Sequence, residues 1–201
     1  EDTVRFVRYF RIGQPPSNID CFEITGPSLT TALENVTLDA LLEIEPKTGM
    51  FLSKLCSGHT WEIEYNNSID YCGWAGTPGK VVFGSGCSAA YYLKEGVMPY
   101  LLAHELAHKY RGLYNTAEAI DASIAGLDGR TLPTYDLNCG ATDNSLSEDF
   151  SETVGNTVRI NVFGHCASLI VSMYPDAATR YEDFWTDFSE HRNYVQEVTF
   201  N

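Results

Sequence analysis

The chain has 201 residues, 44% hydrophobic and 20% charged, a balance that suits one well-buried core and argues against disorder. Its formal net charge of −14 disfavours nucleic acid and anionic membranes as partners. No apolar run approaches the roughly 20 residues that span a bilayer. With no initiator Met and no signal-like segment, a mature form is expected.

In chain order, residues 3–12 are rich in β-branched and aromatic side chains and predict a strand. Ser28 predicts a helix N-cap, with the helix running to about Leu42 and Leu29, Ala32, Leu33, Val36 and Leu41 near one face. Trp61, Ile63 and Tyr65 alternate with Glu62 and Glu64, the pattern of a half-buried antiparallel strand. Residues 80–84 and 89–93 are further strand candidates, parted by the turn Gly84-Ser85-Gly86. Pro99 then suits a first helical turn and Gly112 a helix stop. Asn115 with Glu118 predicts a capping box for a helix to Gly126, with Ile120 and Ile124 inward. Residues 129–144 read as loop. Ser145 with Glu148 predicts another capping box, opening a helix with Phe150, Val154 and Val158 at four-residue spacing. A last helix is expected over 175–198, burying Tyr181, Phe184, Trp185, Phe188 and Val195. Strands first and helices last indicate an α+β fold.

Six cysteines, Cys21, Cys56, Cys72, Cys87, Cys139 and Cys166, form an even set without C-x-x-C pairs, which favours three disulfides over structural zinc. Six cysteines allow 15 pairings, and spacing does not choose among them. Sequons at Asn35 and Asn66 agree with an oxidising route. Together they predict a secreted, disulfide-stabilised glycoprotein.

The chemistry concentrates in His104-Glu105-Leu106-Ala107-His108. Two histidines four apart on a helix lie only about 40° apart around its axis and can fill two corners of a tetrahedral zinc site. Glu105 then reaches the open coordination position, where it can take a proton from zinc-bound water and pass it to the leaving amine. With five histidines in the chain, a chance H-E-x-x-H has odds of about one in a hundred. Leu101, Leu102, Ala103, Leu106 and Ala107 make this helix apolar nearly all round, apart from the motif and Lys109. A buried helix carrying such polar groups needs partners for them, and a metal provides them.

The segment 101–110 resembles the active-site helix of the zincin metallopeptidases. The metzincin extension is excluded, because Arg111 and Tyr114 stand where that branch has Gly and His. The lone His59, His165 and His191 are weak candidates for a third ligand. Ser147-Glu148-Asp149-Phe150-Ser151-Glu152 is better, since Glu148 and Glu152 share a helical face. This block is similar to the second motif of glutamate-zincins, in the E-x-F-x-E form of lethal-factor-like peptidases. Its distance from the second histidine (148 − 108 = 40) agrees with that group. The resemblance implies that Glu148 is the third zinc ligand and that Glu152 hydrogen-bonds a ligand histidine. Three alternatives stay open. Glu148 can be only the capping-box carboxylate, Asp149 can be the ligand on a rotated helix, and Gly140-Ala141-Thr142-Asp143 partly matches the aspartate-zincin motif, making Asp143 a ligand.

The resemblance also implies a zincin-like fold. It would be a single catalytic domain over 1–201, with an N-terminal mixed or antiparallel sheet and active-site helix in an upper lobe of about 1–113. A mainly helical lower lobe of about 114–201 would lie across a cleft. Substrate would pair with an upper-sheet edge strand, here expected at 80–84. A Tyr would stabilise the oxyanion; Ala141 occupies the family position, Tyr135 is the nearest Tyr upstream, and Tyr110 and Tyr114 are the remaining alternatives. The expected function is a monomeric, secreted endopeptidase acting on proteins or peptides with one zinc ion per chain. The alternative is an inactive binding or effector protein on the same scaffold.

Overall fold

The computed structural model describes residues 20–47, 51–113, 116–129, 145–163 and 189–200. The expected strand at 3–12, Asn115, Tyr135, Asp143, Cys139, Cys166 and residues 175–188 of the last helix lie outside them. The described chain is α+β, with a four-stranded mixed sheet. Its strands are β1 (Phe22–Thr25), β2 (Trp61–Tyr65), β3 (Gly73–Trp74) and β4 (Lys80–Phe83), in the order β1-β2-β4-β3.

β2 is half-buried as its alternation predicts: Trp61, Ile63 and Tyr65 point into the core while Glu62 and Glu64 face the wetter side. Its pairing, however, is parallel to β1 on one side and to β4 on the other. Alternation reports which face is buried, not strand direction, and the antiparallel expectation is corrected here. Only β3 runs antiparallel, pairing Gly73 with Phe83 and Trp74 with Val82. Among the described residues the sheet therefore ends on β3, and β4, in the stretch expected at the edge, is an interior strand instead.

The parallel step from β1 to β2 needs a crossover. It is supplied by α1 (Thr31–Lys47) and α2 (Phe51–Cys56). α1 starts later than expected, because Thr30 Oγ1 caps it by accepting from Leu33 N, while Ser28 Oγ accepts from Asn67 N. Its buried stripe is Leu33, Thr37, Ala40, Leu41 and Ile44. Asn35 is exposed on this helix, and Asn66 sits in the turn after β2 with its amide tied to Glu64 and Ser68. Cys21 is joined to Cys56 and Cys72 to Cys87. Across loops of 35 and 15 residues, each bond stabilises the fold by on the order of 3 kcal/mol through the unfolded chain.

Residues 89–93 are not a strand. Ser88 Oγ accepts from Tyr91 N and caps a short helix, α3 (Ala89–Tyr92). α4 (Val97–Gly112) follows, with Pro99 in its first turn and Gly96 at its N-cap in the left-handed region (φ 78°). α5 (Ala117–Ile124) buries Ile120 and Ile124. α6 (Leu146–Phe163) buries Phe150, Val154 and Val158, the stripe its spacing predicts. α7 (Ser189–Val195) runs into a π-helical turn, Gln196–Phe200, and buries Val195. α4 and α6 pack on each other more extensively than any other pair of described elements. No helix among the described residues is long and apolar enough to cross a membrane.

Candidate metal centre

α4 and α6 meet closely because Gly155 has no side chain: a Cβ there would lie 3.1 Å from the Tyr100 ring and 3.2 Å from His104 Cβ. Across this contact two stripes of residues spaced four apart face each other. One is Tyr100, His104 and His108; the other is Glu148, Glu152 and Asn156.

His104 Nε2 lies 3.3 Å from His108 Nε2 and 3.3 Å from Glu148 Oε2, while His108 Nε2 lies 3.3 Å from Glu148 Oε1. Both outer nitrogens have acceptors behind them. His108 Nδ1 is 3.1 Å from Ser147 Oγ. His104 Nδ1 is 3.1 Å from Glu152 Oε2, off the line of a linear hydrogen bond but within ion-pair reach. An N–H on each Nδ1 leaves both Nε2 lone pairs pointing at Glu148. Glu152 is buried, and its carboxylate accepts from Tyr100 Oη (2.8 and 2.7 Å) and Asn156 Nδ2 (2.9 Å). Two imidazole nitrogens and a carboxylate oxygen so gathered are a group that can hold a metal ion.

The electrostatics point the same way. Burial opposes a charge on His104, but the Glu148 and Glu152 carboxylates outweigh it and push its pKa up to about 10. Burial would raise Glu148, yet the hydrogen bonds and charges of the two imidazoles hold it well below the usual carboxylate range. The Glu148 carboxylate that favours a proton on His104 likewise favours a cation beside the two imidazoles.

Glu105 lies outside this donor set. Its side chain turns toward β3, where a Cβ on Gly73 would overlap the carboxylate. Burial pushes its pKa above the ordinary carboxylate value, against the opposing pull of His104 and His108. Four residues on, Lys109 is also buried, and its Nζ donates to the carbonyls of Ala75 and Thr77 in the β3–β4 connection.

Each expected site residue has a definite place or lies outside the described chain. His104, His108 and Glu148 come together, and Glu152 stands behind His104. Ser145 Oγ accepts from Glu148 N at 3.3 Å, so half of the expected capping box forms while the Glu148 carboxylate faces the histidines. Asp149 is turned away. Its Oδ2 meets His191 Nε2 at 3.1 Å, and His191 Nδ1 meets Asp128 Oδ2 at 2.8 Å. One residue of helix is about 100° of rotation, which sends Glu148 and Asp149 to different neighbours. Tyr135 and Asp143 lie outside the described residues. Tyr100, Asn156, Ser147, Gly73 and Lys109 were not anticipated. Counting four back from His104 and four on from Glu152 would have found the first two.

The Asp128–His191–Asp149 staple joins α6 to α7 and carries a pH prediction. Burial opposes charge on His191, but Asp149 and Asp128 overcome it and raise its pKa. A raised folded pKa contributes stability that is complete below the ordinary value of about 6.5 and is lost as pH rises through the raised value. On alkaline titration the wild-type melting temperature should therefore fall more than that of His191→Gln. Parallel curves for the two proteins would remove this charge from the account.

Comparison with family models, with curated proteins and with solved structures finds no match for this chain.

Proposed function

We propose that the chain is a zinc-dependent endopeptidase, secreted, with its catalytic domain divided by a cleft beside α4 and α6. The observation that carries this is the convergence of His104 Nε2, His108 Nε2 and Glu148 on one point, with the Glu105 carboxylate alongside but outside the set. Donors bound about 2.05 Å from one tetrahedral ion lie about 3.3 Å apart. His104 Nε2 and His108 Nε2 are 3.3 Å apart, and the two Glu148 oxygens each lie 3.3 Å from one of them, so the three groups are within reach of a common ion. A zinc ion held by these donors supplies Lewis acidity to a carbonyl oxygen and lowers the pKa of a water.

The chain's own residues do the rest. Glu105 accepts a proton from the attacking water as its oxygen bonds to the carbonyl carbon, then returns that proton to the amine nitrogen as the C–N bond breaks. A carboxylate with a raised pKa suits both halves of this exchange. Glu152, backed by Tyr100 and Asn156, orients the His104 ring. β3, the end strand among the described residues, lies against Glu105 and offers main-chain groups to an extended peptide. Trp74 of this strand is exposed and stacks on the exposed Tyr71 that precedes it (centroids 5.3 Å apart). Two disulfides and two sequons accord with export.

The test is metal analysis together with cleavage of an unfolded protein substrate. Purified chain should carry one zinc, and a chelator should abolish cleavage that added zinc restores. Cleavage indifferent to chelation would sink the proposal. A zinc closed off by a fourth protein ligand, with no cleavage, would make the chain a binding scaffold instead.

A further inference from the structure

α4 carries not one functional stripe but two. His104 and His108 face α6, and about 100° around the axis Glu105 and Lys109 face β3 and its connection to β4. The second stripe makes two contacts of different kinds. Glu105 occupies the space left by the missing side chain of Gly73, and the Lys109 ammonium bonds the carbonyls of Ala75 and Thr77. Lys109 is only 9% exposed, so its charge is spent on these carbonyls and on the nearby Glu105 rather than on water.

We propose that Lys109 is a positioning residue, which pins the β3–β4 connection to α4 and so keeps Gly73 against the Glu105 carboxylate. The strand it secures is only two residues long and, among the described residues, pairs on one side only. It pairs with β4; at its far end Gly84 N and Tyr92 Oη donate to Cys72 O and Cys72 is joined to Cys87, and in the connection Lys80 N donates to Thr77 O and Glu62 N to Gly79 O. Those bonds tie the connection to the sheet, and Lys109 adds the side-chain fastening that ties it to α4. The working motif is then H-E-x-x-H-K, with the lysine acting through Gly73 and Glu105 and not on substrate.

The activity arm of the test rests on the peptidase reading; the backbone arm does not. Lys109→Met, in the full chain with zinc, should keep one zinc per chain and unchanged hydrogen exchange in α4 and α6. Exchange across 73–80 should rise by about tenfold or more. kcat/KM should fall by about 10- to 100-fold, the range expected when a reacting group is misplaced by an ångström. Lys109→Arg, which keeps the donors, should recover most of the loss. Unchanged exchange across 73–80 would overturn the proposal, as would zinc loss with exchange rising equally everywhere, which marks a general stability residue. If Lys109→Met does not fold, Gly73→Ala decides: zinc retained with lowered kcat supports the pinned geometry, and wild-type kcat refutes it. A wild-type chain that cleaves nothing counts against the peptidase reading, while the exchange result still decides the role of Lys109.

Discussion

Glu105→Gln should leave one zinc per chain in place and lower kcat/KM on a peptide by about 10²- to 10⁴-fold, the usual worth of a positioned general base. Glutamine has the shape of glutamate, so the space beside Gly73 stays filled and the fold is undisturbed. It cannot accept a proton. Because the Glu105 carboxylate stands outside the His104–His108–Glu148 set, metal content should not change. The measurement is kcat/KM beside zinc stoichiometry on the same samples. A variant that cuts at the wild-type rate removes Glu105 from the mechanism, and one that loses its zinc makes Glu105 a ligand.

The second large effect concerns α6. Glu152→Ala should weaken zinc binding by about 10- to 100-fold, as is usual when the group behind a ligand histidine is lost. Glu148→Ala removes a donor itself and should weaken binding further, with loss of cleavage. Asp149→Asn should leave zinc affinity unchanged, because its carboxylate faces His191. Competition against a zinc-sensitive dye ranks the three. If Asp149→Asn weakens zinc more than Glu148→Ala does, the helix sits differently from the arrangement described, and Glu148 is not the third donor.

Much of this centre is legible in the sequence because helices make it local. His104 and His108 repeat by four, as do Glu148 and Glu152, and four-residue spacing on a helix is a statement about one face. Tyr100 and Asn156 are legible by the same rule and lie one step beyond the motif. The sheet is less legible. The parallel pairings of β2 depend on strands far apart in sequence, and its alternation says nothing of direction. β3 is a Gly-Trp pair with no periodicity to detect, so the sheet edge was sought at 80–84. Residues 89–93 carry aromatic residues that suit a strand, and the Ser88 cap decides for helix. Gly73 meets Glu105, and Lys109 meets Ala75 and Thr77, through contacts 32 or more residues apart in sequence, beyond the reach of spacing.

α4 has one further property. Gly112 is its sole exposed residue, and the two unspecified positions of its motif, Leu106 and Ala107, are wholly enclosed. Architecture and chemistry thus draw on the same sixteen positions, so this helix has little room for neutral drift. If the chain is the peptidase proposed, a substitution at either enclosed position that swells or shrinks the side chain will lower activity although it touches no reacting group. Dissecting this helix calls for replacements that preserve shape while altering protonation, with folding measured on every variant.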